Sequence, residues 1–186
     1  MTKRVGVLAV QGAFIEHRRA LEKLGCECVE LRKRADIGSL DALVLPGGES
    51  TTQGKLLREL EMLEPLRDAI VSGVPTLATC AGMILLSERI ANDDNVYFGT
   101  LPVVVRRNAY GRQLGSFQRR LELAGIGEVD AVFIRAPYIE SVGDGVEVLA
   151  EVDGKIVAVK YGKQLALAFH PELCEDLSVH RAFCEF

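Results

Sequence analysis

Cys80 sits at the joint of "PTLATCAGMILL" (75–86), which begins as a short apolar strand and continues in helical pattern. A strand-to-helix turn with small residues after it, here Ala81 and Gly82, lifts a nucleophile out of a sheet and lets substrate come close. The free N–H groups and positive end of the helix that follows favour the thiolate, the reactive form of cysteine. The N–H of Ala81 is also placed to donate to an oxyanion. The bland alternative is an inert buried thiol, and a nearby base is what separates the two.

"FHPEL" supplies a candidate base. In extended chain, residues i and i+2 point the same way, so His170 and Glu172 face one side and Pro171 the other. Proline also biases His170 away from helical geometry. A carboxylate so placed can fix the imidazole tautomer and stabilise the imidazolium. Together Cys80, His170 and Glu172 make a candidate Cys-His-Glu triad. The other histidines, His17 on a first helix and His180 on a last one, read as structural or surface residues. No Cys/His cluster has zinc-like spacing, and "CEC" at Cys26–Cys28 has no evident partner ligands, so neither metal nor cofactor is expected. "PGGES" lacks the Gly-Lys-Ser/Thr ending of a phosphate loop; its glycines better serve to bring backbone N–H groups up to a substrate.

These residues need a scaffold, and the chain alternates strand and helix patterns. "RVGVLAV" is a continuous apolar run typical of a strand buried on both faces. "FIEHRRALEKLG" follows with apolar Ile15, Leu21 and Leu24 and ends at Gly25, as an amphipathic helix would. "CECVELR", "LDALVL" and "VPTLAT" read as further strands. Helices are expected over 51–71 and over "AGMILLSERI". Such alternation predicts a parallel sheet with helices on both faces and its site at the carboxyl ends of the strands. Three loops then gather at one edge, carrying Gln11, Pro46 and Thr79. After about Tyr97 the pattern turns to strands with little helix between: "LPVVVRR", "SFQRRLEL" and "AVFIRAPYI". A meander follows, with a strong hairpin turn at Asp153-Gly154, and a short C-terminal helix over 179–186.

The bulk numbers set limits. A chain of 186 residues, 48% apolar and 26% charged, suits one soluble globular domain, here residues 1–186. A net charge of −4 with scattered Lys and Arg argues against a nucleic-acid partner. No segment has the length and apolarity of a membrane span, and the apolar start is too short for an export signal. Five cysteines without a regular framework then read as free thiols in a reducing cytoplasm.

"LPGGEST", "TCAGM" and "FHPEL", in that order and spacing, resemble a triad-type class I glutamine amidotransferase. "GVLAVQGAFIEH", "RNAYGRQ" and "FIRAPYI" bring the chain closer to one branch, the glutaminase subunits of two-protein pyridoxal 5′-phosphate synthases. The resemblance implies a three-layer α/β/α sandwich, with a mostly parallel central sheet and an antiparallel second half. It implies hydrolysis of L-glutamine to glutamate and ammonia, with ammonia passed to a separate barrel-type synthase subunit forming a dodecameric core. It makes Cys80 the nucleophile, His170 the general base and acid, and Glu172 the orienting carboxylate. Gly47, Gly48, Glu49, Arg107, Ile134 and Arg135 would bind glutamine, with Gly48 and Ala81 as the oxyanion hole. Arg106 beside Arg107 leaves the register open, and surface ion pairing is the alternative role for either arginine. Two departures are small: "AVQG" stands where a second leucine is commoner, and the last helix is short. A glutaminase of another pathway, such as imidazole glycerol phosphate synthase, is the alternative enzyme; it would lack "RNAYGRQ". A peptidase or chaperone of related fold would take its histidine from just after Cys80, where Met83 and its neighbours supply none. A catalytically dead regulatory subunit is hard to square with an intact Cys80, His170 and Glu172.

Overall fold

The early apolar runs become four strands: β1 (Arg4–Leu8), β2 (Glu27–Leu31), β3 (Ala42–Leu45) and β4 (Thr76–Thr79). The structure, a computed structural model, describes residues 2–91, 93–107 and 115–186. β3 and β4 are buried at every position, as continuous apolar runs in a covered parallel sheet must be. The helices between are α1 (Phe14–Lys23), α2 (Ser50–Glu59), α3 (Leu63–Val71) and α4 (Ala81–Leu86).

The second half adds β5 (Ser87–Ile90), β6 (Leu101–Arg106), β7 (Ser116–Leu123), β8 (Gly127–Ile134) and β9 (Tyr138–Val142). It closes with β10 (Glu147–Val152), β11 (Lys155–Tyr161), β12 (Gln164–Leu167) and α5 (Ser178–Phe183). The main sheet runs β2-β1-β3-β4-β12-β11-β9-β6-β5, with β10 paired to β11. Its first five strands are mutually parallel, and β12-β11, β11-β9 and β9-β6 are antiparallel. β7 and β8 form a separate antiparallel hairpin. Helices pack in two groups, α1 with α5 and α2 with α3 and α4. This is the mixed α/β architecture that the strand–helix alternation predicts. Among the described residues, no helix is long and apolar enough to cross a membrane.

Four local expectations are corrected. The helix expected over 51–71 is two helices, because Glu61 takes a left-handed φ of 54° and the Met62 N–H turns back to Leu57 O. Pro65 in the first turn of α3 was the available signal for a new start. The helix expected through "SERI" stops at Leu86; Ser87 Oγ donates to Ile84 O, and residues 87–90 instead pair in parallel with β6. "AVFIRAPYI" is two strands, broken at Arg135 by a φ of 42°. On α1 the buried stripe runs through His17, Ala20 and Leu21, leaving Ile15 exposed.

All five cysteines are free. Gly82 is dictated by packing, since a Cβ there would collide with the Leu45 carbonyl oxygen at the end of β3. Gly82→Ala should therefore destabilise the fold by about 3 kcal/mol. A urea midpoint equal to that of the wild type would contradict this packing.

Candidate active site

The site is built where β4 and β12 end side by side. Their parallel register sets Thr79 opposite Leu167, and the next amide, Cys80 N–H, donates to Leu167 O at 2.8 Å. Cys80 and the segment leading to His170 thus leave the sheet together. Cys80 itself has φ 49° and ψ −103°, a backbone state that non-glycine residues rarely adopt. That is the strained elbow implied by the small residues after it. Ala81 opens α4, so its N–H has no partner within the helix.

His170 is fixed from two sides. Its N–H donates to Val132 O of β8 at 2.8 Å, and its Nδ1 lies 2.7 Å from Glu172 Oε1. The expected alternation of an extended chain does not produce this contact. Residues 171–173 form a single 3₁₀ turn, and the turn brings the carboxylate back beneath the ring. His170 is 6% exposed and Glu172 is 7% exposed. Burial opposes charge on His170, but hydrogen bonds with the Cys80 thiol and Glu172 outweigh it and raise the ring to about 10. Burial likewise opposes charge on Glu172, but His17 and His170 beside it hold the carboxyl below its usual range. The arrangement favours imidazolium next to sulfur, backed by an ionised carboxylate.

The loop "PGGES" closes over the pair. A Cβ on Gly47 would collide with His170 Cε1, so only glycine lets the loop approach the triad this closely. Gly47 N–H donates to Thr79 Oγ1 at 3.0 Å, and Gly47 O accepts from Ala13 N–H at 3.0 Å. Gly47 N–H is therefore already committed, leaving Gly48 as the oxyanion candidate in this loop. Gln11 ties the edge together: its Oε1 accepts from Glu49 N–H at 2.8 Å, and its carbonyl accepts from Gln53 Nε2 at 3.0 Å. Glu49 caps α2, accepting from Thr51 N–H and Thr52 N–H. Its small burial works against ionisation, but these cap bonds prevail and hold the carboxyl low.

Beside Cys80 and His170 lies a cavity of about 400 Å³. Gly48, Glu49, Arg107, Ile134 and Arg135 also line it, so the structure brings these residues to one place. Gly47 and Ala81 flank Cys80 rather than line the cavity, and Glu172 lies behind His170. The arginine register is resolved by neighbours. Arg106 pairs with Glu140 at 2.8 Å, whereas Arg107 lines the cavity. Arg107 does make an ion pair, Nη1 to Asp93 Oδ2 at 2.8 Å, but its Nε and Nη2 have no partner among the described residues. The rest of "RNAYGRQ", 108–113, lies outside the described residues. Two histidines escaped sequence reasoning: His17 and His180 are fully buried behind Glu172. Only the exclusion of Ile15 from the helix stripe, invisible without the fold, marks His17 as inward-facing.

The chain and its fold have known relatives. The model of the SNO glutamine amidotransferase family matches residues 7–186. The chain is 62% identical over 183 residues to the pyridoxal 5′-phosphate synthase subunit PdxT of Desulfitobacterium hafniense (strain Y51), covering 98% of this chain and 92% of that protein. It is 51% identical over 186 residues to the protein of the same name from Streptococcus pneumoniae (strain CGSP14), covering 98% of this chain and 96% of that protein. A solved glutamine amidotransferase superposes with a TM-score of 0.93 at 48% identity, over 97% of both chains. A PurLQS structure from Thermotoga maritima, at 17% identity and a TM-score of 0.76, covering 100% of this chain and 99% of that one, shares the fold.

The raised His170 has a pH signature. Its folded value of about 10 lies above the unfolded 6.5, so its stabilisation is complete below pH 6.5 and is lost as pH rises through about 10. Nuclear magnetic resonance titration of the His170 ring should give a midpoint well above 6.5, and Cys80→Ala and Glu172→Gln should each move it down. A midpoint near 6.5 that neither substitution moves would contradict the ion-pair geometry.

Proposed function

The chain belongs to the SNO glutamine amidotransferase family, and on that footing we propose that it hydrolyses L-glutamine as the glutaminase subunit of a pyridoxal 5′-phosphate synthase. The observation that carries this reading is the gathering of Cys80, His170 and Arg107, whose Nε and Nη2 have no partner among the described residues, around one cavity. Glutamine has an α-carboxylate, an α-ammonium and a side-chain amide, and the lining offers a complement to each.

The guanidinium of Arg107 takes the α-carboxylate, with Arg135 beside it; a planar, permanently charged fork suits that group. The ionised Glu49 takes the α-ammonium. The Cys80 thiolate attacks the side-chain carbonyl, and the N–H groups of Gly48 and Ala81 receive the oxyanion. Protonated His170 gives its proton to the departing nitrogen, and ammonia leaves. A glutamyl thioester remains on Cys80. His170, now neutral, takes a proton from water, which attacks the thioester and releases glutamate and the thiolate. Glu172 holds the ring for both steps.

Ammonia passes to the synthase subunit, for which we propose a barrel-type, dodecameric core in the cytoplasm. Free ammonia would waste glutamine, so the glutaminase waits for docking on the edge that carries Gln11 and Pro46. The Gly47–Gly48 peptide is the switch, since glycine tolerates either sign of φ. Its carbonyl is held by Ala13 N–H in this structure, which fixes where Gly48 N–H points. Reorienting the peptide breaks that one bond.

Ammonia release should therefore require both the synthase subunit and glutamine, and Cys80→Ala should abolish it by at least about a thousandfold. Arg107→Ala should raise KM about tenfold to a hundredfold, from loss of a charge-assisted contact. Full activity in Cys80→Ala would overturn the mechanism, and an unchanged KM in Arg107→Ala would overturn the carboxylate site.

A further inference from the structure

Behind the triad lies a chain of buried polar groups that the proposed chemistry does not use. His17 on α1, His180 on α5 and Thr79 on β4 are fully buried. His17 Nδ1 lies 3.0 Å from His180 Nε2. His17 Nε2 lies 3.0 Å from Thr79 Oγ1 and 3.3 Å from Glu172 Oε2. The same Thr79 oxygen accepts the Gly47 N–H. One imidazole therefore touches both the carboxylate behind His170 and the hydroxyl that anchors the glycine loop.

The proton arrangement follows from elimination. Burial is the main cause that keeps both rings neutral; it lowers His17 against the pull of Glu172, and with His17 beside it lowers His180 to about 3. Each ring then carries one N–H. If His17 carried its proton on Nδ1 and donated to His180, the His17 Nε2 lone pair would face a carboxylate oxygen at 3.3 Å. His180 would then keep a proton on Nδ1, which is buried and has no partner among the described residues. If His180 Nε2–H donates instead, His17 carries Nε2–H, and that dipole points at the carboxylate. Thr79 Oγ1 then fills both lone pairs, from Gly47 N–H and His17 Nε2–H. The second arrangement avoids the lone-pair repulsion and the orphaned donor.

We propose that His17 is a positioning residue of the triad: its Nε2–H, fixed in that tautomer by His180, is shared between Glu172 Oε2 and Thr79 Oγ1, so that one hydrogen holds the carboxylate behind His170 and the threonine that anchors Gly47. His17 acts through these neighbours and touches no substrate. Its support of Glu172 is an N–H dipole rather than a charge. Glu172 Oε2 makes no hydrogen bond of full geometry among the described residues, and His17 Nε2, 3.3 Å away, is the group that can turn an N–H dipole towards it, so removing His17 takes that dipole from a buried carboxylate oxygen. The titratable groups around His17 are Glu172, His170 and Glu16, besides His180.

The proposal rests on the glutaminase reading for its kinetic consequence but not for its tautomer. Nitrogen-15 resonance of the histidine-labelled wild-type chain should find His17 neutral and protonated on Nε2 at neutral pH. A proton on Nδ1 would overturn the proposal, whatever the chain catalyses. In the complex with the synthase subunit, His17→Leu should lower kcat about tenfold to a hundredfold, the range for loss of an orienting partner. KM for glutamine should stay within about twofold, because ground-state binding is untouched. The acid limb of the kcat/KM profile should move to higher pH, because Glu172 becomes easier to protonate. His17→Gln keeps a donor and should recover part of kcat. An unchanged kcat in His17→Leu, or no recovery in a folded His17→Gln, would sink the positioning role. Failure of the glutaminase reading itself would appear separately, as activity surviving Cys80→Ala.

Discussion

The site depends on the parallel pairing of β4 with β12. Cys80 and His170 stand ninety residues apart in sequence, and backbone hydrogen bonds between these two strands are what bring their exits together. The long detour through β5 to β11 exists, structurally, to return the chain to β4 in the right register. A one-residue slip would turn the side chains of β12 to the opposite face and carry the exit to His170 with them. The buried residues on both strands, from Thr76 to Thr79 and from Gln164 to Leu167, make that slip costly.

On this frame the functional groups are placed by contacts that tolerate little change. The elbow at Cys80 carries a strained backbone, and the glycines at 47 and 82 occupy space that a methyl group would deny. Strain at Cys80 is stabilised by surrounding packing, as expected where a side chain must project from a sheet edge. Behind it, four buried ionisable side chains, His17, His170, Glu172 and His180, sit in contact as one polar cluster inside an apolar interior. Such a cluster is costly unless its members satisfy one another. Here the two outer rings are neutral and orient the pair that carries charge.

Much of this was legible in the sequence, and the exceptions have physical causes. The continuous apolar runs marked the parallel strands, and small residues after Cys80 marked the elbow. The His-Pro-Glu spacing pointed to the contact between His170 and Glu172, but a 3₁₀ turn, not strand alternation, closes it. Residues 87–90 looked helical because local pattern cannot reveal pairing with β6. The break at Glu61 carries no glycine, so only Pro65 hinted at it. His17 was hidden because a lone polar residue on an amphipathic helix carries no sign of which face turns inward. Its meaning appears only when α5 and the turn after β12 pack against α1.

In the proposed mechanism, Sγ of Cys80 is the atom that the glutamine side chain meets. Its most direct test is covalent labelling by an electrophilic glutamine analogue, with the synthase subunit present, followed by peptide mass spectrometry. One label per chain, on Cys80, with protection by glutamine, is the expected result. A label on another cysteine, or none with the partner bound, would contradict it.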